Sequence, residues 1–407
     1  MSKQTIVSES TPEPTRSSGG RKPVAVIYTH ALLAGSMTFI KSQAESLRGY
    51  DAVYAGAHKV EGIDLPEDRT FVLNSGSPMG ILTEYLFRRT GYAPSLTNKL
   101  RTLGPRIVHA HFGTCAPAAM ALARALDVPF VVTFHGADAT VNPESSLKTR
   151  RGQELRRAKD AVIREAGAFI AVSDHIRRRL MEQGYPEDKV VVLRNGIDVD
   201  FFEPTSSGER DPVILFVGRF VQKKGATYLL EAAQRLMSKG VRFELVMLGS
   251  GPLEDELREA ATQSGLPCRF PGFMPLTGVM EWLQKARVVV VPSVTADNGD
   301  QEGLPTILLE AQAMETPIVA TRHSGIPEGV EENVTAYLVD EKDTVGLADK
   351  LRIYLENPEL ARRAGVAGRE FVLRNFDMRD QVRELENLYD RLQREYFQTG
   401  LPQGIRD

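Results

Sequence analysis

Cysteine is scarce in this chain of 407 residues: the two present, Cys115 and Cys268, stand in different halves, and neither has a CxxC partner. A disulfide framework and a cysteine-rich zinc site are therefore excluded, and a reducing cytosol fits this usage. An excess of one charge is missing too. There are 50 lysines and arginines against 53 aspartates and glutamates, a formal net charge of −3. That balance offers no electrostatic footprint for nucleic acid. No apolar run approaches the roughly 20 residues of a membrane span. The N-terminus lacks the apolar core of a secretory signal. There is no GxxxxGK followed by Ser or Thr, so a Walker-type kinase or ATPase is excluded. The expectation is a cytoplasmic protein whose membrane contact, if any, is peripheral.

What is present is an ordinary globular composition, 42% hydrophobic and 25% charged, on a chain long enough for two domains. Residues 1–22 are rich in Ser, Thr, Glu and Pro and read as a disordered leader. Short apolar strands then alternate with helical stretches. The strands fall at 24–28, 52–55, 70–73, 106–111, 130–134, 168–172 and 190–193, before a turn at Asn195-Gly196. Residues 204–212 hold no apolar side chain and read as a linker between a first domain, 23–203, and a second, 213–377. The alternation restarts there, with strands at 213–217, 243–248, 268–270, 288–291, 317–320 and 336–339. This pattern predicts two successive α/β domains, each with a parallel, doubly wound sheet. Such sheets bind ligands beyond the carboxyl ends of their strands. Two of them would face each other across a cleft.

The stretch from Glu302 to Glu310 organises the rest. Residues 306–314 read as a helix, with Pro305 in its first turn, where a missing N–H costs nothing. Glu302 lies on the entering loop, and Glu310 is about one and a half turns into the helix. Between them lie the free N–H groups of a helix N-terminus, a seat for phosphate. Gly303 lets the backbone approach a ligand closely. Carboxylates that accept from hydroxyls, on either side of an anion seat, match the shape of a nucleotide sugar. The plainer alternative is a capping acid followed by a buried structural one.

Four of the seven histidines, His30, His109, His111 and His135, fall at the carboxyl ends of first-domain strands, the ligand side. His109 and His111 are two apart and share a strand face. No cysteine or carboxylate pattern completes a metal site around them, so one is expected to pack structurally and the other to border the cleft. His135, followed by Gly136 and Asp138, is the better functional candidate; a loop histidine bonded to backbone is the bland reading. In the second domain Gly218 frees the backbone after the first strand, and Arg219 and Lys224 are placed to converge on a diphosphate. A solvated basic loop is the alternative. Gly249-Ser250-Gly251 invites a dinucleotide-binding reading, but Glu254 stands where the third glycine belongs. Residues 297–300 suggest a divalent-metal loop without its spaced ligands and read as a polar loop at the mouth of the site. Basic groups at 88–101, 148–159 and 177–179 form either a solvated face or one drawn to anionic lipid.

Several stretches now combine: Thr133-Phe134-His135-Gly136, Ala171-Val172-Ser173, Arg194-Asn195-Gly196-Ile197-Asp198, Gly218-Arg219 with Lys224-Gly225, Leu248-Gly249-Ser250-Gly251-Pro252, and the E-x7-E signature of Glu302 and Glu310. In this order and spacing the chain resembles the retaining, GT-B-fold glycosyltransferases of family four, over residues 24–396. The His-Ala-His-Phe-Gly stretch and residues 292–310 look closest to enzymes of bacterial exopolysaccharide assembly of the colanic-acid type. The resemblance implies two Rossmann-like domains and a last helix, 378–397, that crosses back onto the first. It implies that Glu302 holds donor-sugar hydroxyls, Glu310 the ribose, and Arg219 and Lys224 the leaving diphosphate. His135 would contact the donor sugar near the reacting carbon. Gly35 would border the phosphates, although Ala34-Gly35-Ser36 departs from the family's Gly-Gly form. Gly272, Phe273 and Met274 would meet the base, and Gly303, Leu304, Pro305 and Thr306 would complete the donor site. His109, His111 and Asp138 are candidates for the acceptor side. The implied reaction moves a hexosyl group from a UDP- or GDP-sugar to a saccharide, lipid-linked, with retention and with no metal or other cofactor. A non-catalytic nucleotide-sugar or saccharide binder on the same fold, and transfer to a small-molecule acceptor, stay open as alternatives.

Overall fold

The computed structural model describes residues 22–205 and 209–399. The expected leader, apart from Lys22, lies outside the described residues, as do 206–208 of the expected linker and residues 400–407. Seven strands form the first sheet: β1 (Val24–Leu32), β2 (Asp51–Lys59), β3 (Thr70–Asn74), β4 (Pro105–His111), β5 (Phe130–Phe134), β6 (Ala168–Ala171) and β7 (Val190–Val192). Their order is β3-β2-β1-β4-β5-β6-β7, and every pairing is parallel. The second sheet holds β8 (Asp211–Val217), β9 (Glu244–Leu248), β10 (Cys268–Gly272), β11 (Ala286–Val291), β12 (Ile318–Thr321) and β13 (Ala336–Val339). Its order is β10-β9-β8-β11-β12-β13, again all parallel. Strands β5, β6, β11 and β12 are buried along their whole length. Continuous apolar runs suit such strands, because helices cover both faces of a parallel sheet. In each sheet the strand order reverses beside the first strand, at β1/β4 and at β8/β11, which is where doubly wound folds open a ligand crevice.

The helix Met378–Thr399 leaves the second domain and lies on the first. Met378, Val382, Leu385, Tyr389 and Leu392 recur at helical spacing and pack in one core with Ala25, Ile27, Ile107 and Ile170. Polar ties fix its register. Glu386 Oε1 accepts from the N–H groups of Arg48 and Gly49 at 2.7 and 2.6 Å, and the Tyr50 hydroxyl donates to Asp390 Oδ1 at 2.5 Å.

The chain changes domain earlier than its composition suggests. Ile197, Val199 and Phe202 pack in the core of the second domain. Ile197 pairs with the end of that domain, its N–H reaching Phe376 O at 2.8 Å while Met378 N–H reaches Ile197 O at 2.9 Å. β8 begins at Asp211, inside the stretch read as linker. Arg210 just before it donates to the carbonyls of Leu283 and Met314 at 2.5 and 2.6 Å and to the Thr316 hydroxyl at 2.8 Å. A half-buried charged residue thus serves as a brace, since a guanidinium offers five donors to orphan carbonyls.

Candidate active site

Loops at the carboxyl ends of both sheets meet. A Cβ added at Gly35, after β1, would lie 2.8 Å from Phe273 Cζ, after β10. The His135–Gly136 turn, after β5, lies against residues 301–303, after β11. A Cβ at Gly303 would sit 2.2 Å from His135 O, and one at Gly136 would sit 2.8 Å from Gln301 O. The close approach that Gly303 permits in this structure is to the other domain. Hydrogen bonds from Gln301 N–H to Thr140 Oγ1 and from Asn142 N–H to Asn298 O, both at 2.9 Å, seal the same edge. The polar loop 297–300 is thus part of the domain contact.

Glu302 stands at this junction, 6% exposed. Its Oε1 lies 2.7 Å from Lys224 Nζ and accepts from the Ser293 hydroxyl at 3.2 Å. Burial alone would raise its pKa, but the ammonium groups of Lys224 and Lys223 outweigh burial and hold the carboxyl down at about 2. Lys224 reaches it because Gly225 turns the loop sharply. Gly225 has φ 67°, and a Cβ there would fall 1.8 Å from Pro292 O. Lys223 is not a solvated partner; its Nζ lies 2.9 Å from Asp300 Oδ1. Burial pulls its pKa down, and the carboxylates of Glu302 and Asp300 bring the net shift upward. Arg219 is exposed at the end of β8, and its side chain makes no ion pair among the described residues. The two expected diphosphate cations thus differ, one paired in advance and one open.

Glu310 lies on the helix Thr306–Ala313, which is buried on nearly every side. Pro305 is the residue ahead of this helix, with ψ 124°, and not in its first turn. Glu310 has no cation as close as Glu302 does. Burial pushes its carboxyl up to about 7, against weaker downward pulls from the Thr306 hydroxyl and Lys224. Leu304 is buried; Gly272 ends β10, and Phe273 and Met274 follow it, with the Phe273 ring exposed at the cleft.

The expected acceptor-side residues are placed differently. His109 and His111 are 1% and 2% exposed and stack with ring centroids 4.2 Å apart. His109 is held between Tyr389 OH, 2.5 Å from Nδ1, and Thr133 Oγ1, 2.6 Å from Nε2. Neither ring borders the cleft; both lie behind His135. Asp138 is committed to backbone. Its Oδ1 accepts from the N–H of His135 and Gly136 at 3.0 Å, and its Oδ2 from Gly113 N–H at 2.7 Å. It shapes the His135 loop, because a short carboxylate closes such turns.

Sequence reasoning missed a supporting set around Glu302. His323 is fully buried at the end of β12. Its Nδ1 lies 2.6 Å from Glu341 Oε1, and its Nε2 accepts from Glu302 N–H at 3.1 Å. Those partners fix the Nδ1–H tautomer. Glu341 also accepts from Thr295 N–H at 2.8 Å, and Thr295 accepts from Gln301 at 3.0 Å. The strand-end rule that picked out His135 would have found His323. Glycines 249 and 251 pack against the 218–220 loop, with Phe220 N–H on Ser250 O at 2.9 Å, so they brace the basic loop. Among the described residues one trio could hold an ion: His30, His58 and Glu84. Glu84 Oε1 is hydrogen-bonded with His58 Nδ1 at 3.2 Å and lies 3.3 Å from His30 Nε2.

Two family profiles match successive halves of the chain: Glycosyltransferase Family 4 over residues 37–201 and Glycosyl transferases group 1 over 199–371. A protein of Escherichia coli K12 named as a colanic acid biosynthesis glycosyltransferase, WcaL, is 36% identical over 292 residues, 70% of each chain. The amylovoran biosynthesis glycosyltransferase AmsK of Erwinia amylovora is 30% identical over 306 residues, 74% of this chain and 69% of its own. Among solved structures, Anabaena Alr3699/HepE in complex with UDP superposes with a TM-score of 0.71 at 18% identity, covering 91% of this chain and all of that one. With its two facing parallel-sheet domains and returning helix, the chain has the GT-B fold and belongs to the group 1, family 4 glycosyltransferases.

Proposed function

We propose that the protein moves a hexosyl group from a nucleotide sugar, UDP- or GDP-linked, to a saccharide carried on a lipid, with retention of configuration and without a metal, in exopolysaccharide assembly. The observation that carries this reading is the Glu302–Lys224 pair at the domain junction, beside an exposed Arg219 and the N-terminus of the helix Thr306–Ala313. As the bond from the anomeric carbon to the diphosphate oxygen breaks, negative charge grows on the leaving group. Lys224 and the helix N–H groups are fixed in advance to meet it, which is the main way such sites lower a barrier, and the open Arg219 closes on it. The acceptor hydroxyl attacks from the same face, and its proton passes to the departing phosphate oxygen. Glu302, held ionised, accepts from donor-sugar hydroxyls while it aims Lys224; Glu310 accepts from the ribose. HepE, solved with UDP and with UDP-glucose, supports a uridine donor, and the names of WcaL and AmsK support the pathway.

A lipid carrier is supported by the helix Pro78–Thr90. Met79, Ile81, Leu82, Tyr85 and Leu86 on it, with Tyr92 beyond, are exposed apolar side chains. Such a cluster marks an interaction surface. The Arg150 guanidinium lies 5.5 Å from the Tyr85 ring, and cations beside apolar groups suit an anionic membrane face. Among the described residues no helix is long and apolar enough to cross a membrane.

Calorimetric titration with UDP, GDP and ADP, then with their hexose conjugates, followed by transfer to lipid-linked saccharides, tests the reading. One nucleotide should bind, and Lys224→Ala should slow transfer about 100-fold while the protein stays folded. Absence of binding to every nucleotide, or unchanged transfer in Lys224→Ala, would overturn it.

A further inference from the structure

The buried histidines behind the cleft form one connected array. It starts at Tyr389 on the returning helix, passes through His109, stacks onto His111 and ends at His135. The His111 and His135 rings are 15° from parallel with centroids 5.3 Å apart, and His111 Nδ1 lies 3.0 Å from His135 Nε2. Phe39 and Phe112 each flank the His135 ring at 4.9 Å. The other ring nitrogen, His135 Nδ1, is buried and has no hydrogen-bond partner among the described residues. Leaving a buried polar atom unpaired costs about 1–3 kcal/mol, so this nitrogen is open to a partner from outside the protein.

We propose that His111 is a positioning residue for His135: through the Nδ1···Nε2 hydrogen bond it locks the ring plane and the tautomer of His135, so that His135 Nδ1 alone meets the donor sugar. The physical reason is proton counting. Two neutral imidazoles that share one hydrogen bond have one proton between the bonded nitrogens, so the two tautomers are coupled: with the proton on His111 Nδ1, His135 carries its own on Nδ1, and with the proton on His135 Nε2, Nδ1 is an acceptor. Burial holds both rings neutral, His135 near 3 and His111 well below its ordinary value, so neither gains a second proton at working pH. His111 is itself held by the stacked His109, which Tyr389 and Thr133 clamp from two sides. The returning helix thereby supports the orientation of a group at the reacting centre, although it never reaches the cleft.

This inference rests on the proposed contact between His135 and the donor, and its test separates the two. Protein labelled with 15N in the histidine rings is examined by long-range 1H–15N correlation, with His135 assigned from its absence in His135→Gln. The wild type should show a single His135 tautomer. His111→Leu should give a tautomer mixture, with kcat reduced about 10- to 100-fold, as small misplacements do, and KM for the donor changed less than about threefold. His111→Asn puts an amide where Nδ1 stood, and it should restore both the single tautomer and kcat to within about threefold. A purely structural His111 would lower stability without moving the tautomer. A mixed tautomer in the wild type, or an unchanged tautomer and kcat in His111→Leu, overturns the proposal. If His111→Leu does not fold, the wild-type spectrum and His111→Asn decide. If the wild type transfers no sugar, the functional reading fails, while the spectra still decide the coupling of the two rings.

Discussion

Eight positions apart, Glu302 and Glu310 share one chemistry and are driven in opposite directions. Lys224 and Lys223 hold Glu302 near 2 despite its burial, and burial lifts Glu310 to about 7. Glu302 is therefore ionised wherever the protein works, and the ion pair stabilises the fold in full above the ordinary carboxyl value. Glu302→Gln leaves Lys224 unpartnered and should cost about 3 kcal/mol at pH 7. That loss should shrink as pH falls from 4.5 towards 2, where the wild-type carboxyl also protonates. Denaturant unfolding at pH 3 and pH 7 checks it. For Glu310 the sign is reversed. Its folded value lies above its unfolded value, so the native state binds the proton more tightly, and stability is lost as pH rises from 4.5 through 7. Glu310→Gln should relieve up to about 3 kcal/mol at pH 8 and almost nothing below pH 4.5. If its carboxylate accepts from a ribose, nucleotide affinity of the wild type should rise about tenfold from pH 6 to pH 8, and the Gln variant should bind weakly with a flat profile. Both glutamates were legible in the sequence, because their spacing around a helix start carries meaning. Their opposite protonation was not, because Lys224 comes from a loop far away in the chain.

Elements were legible where pattern and environment agree. Strands buried on both faces read as continuous apolar runs, so β5, β6 and β11 stood out. The helix Met378–Thr399 was readable from its spacing, and its docking place came from the family resemblance. Leu385 is 1% exposed in that docking core. Leu385→Ala should destabilise by about 3 kcal/mol, and hydrogen exchange should rise first in β1 and β4 and not in the second sheet. Tyr389→Phe should leave His109 Nδ1 without its hydroxyl, at a cost of about 1–3 kcal/mol in unfolding free energy. In the helix Pro78–Thr90 the apolar residues face outward, which blurs the amphipathic signal that marks a buried face. The start of β8 was missed for the opposite reason: Arg210 and Asp211 look like linker until the carbonyls beneath Arg210 are seen.

At the scale of the whole molecule the two domains are latched by groups that no local pattern connects. Glu328 of the second domain accepts from the N–H groups of Asp174 and His175 at 2.8 and 2.9 Å, capping a first-domain helix across the gap. Arg194 ties the same carboxylate, at 3.0 Å, to Asp174 at 2.8 Å. An anionic cap on a helix N-terminus is favourable on its own, and here it also closes the cleft. Gly303→Ala would drive a methyl into His135 O, and Glu328→Ala would remove the cap. Each variant should expand the molecule in small-angle scattering and raise KM for the donor, while unfolding within each domain changes little. An unchanged radius of gyration in both would show that these contacts do not hold the cleft shut.

The amino-acid sequence determined by itself that the chain forms two parallel α/β domains, that Glu302 and Glu310 flank a helix start, and that Lys224 and His135 stand at strand ends. Those facts follow from period, turn chemistry and the rule that ligands gather at strand carboxyl ends, all of which act over a few residues. Only the tertiary structure decided that Lys224 pairs with Glu302, that Gly303 faces His135 of the other domain, and that His109 and His111 lie behind the site and not beside it. Those outcomes depend on which loops the two sheets bring together and on how deeply each charge is buried, and neither quantity is written in any short stretch of chain.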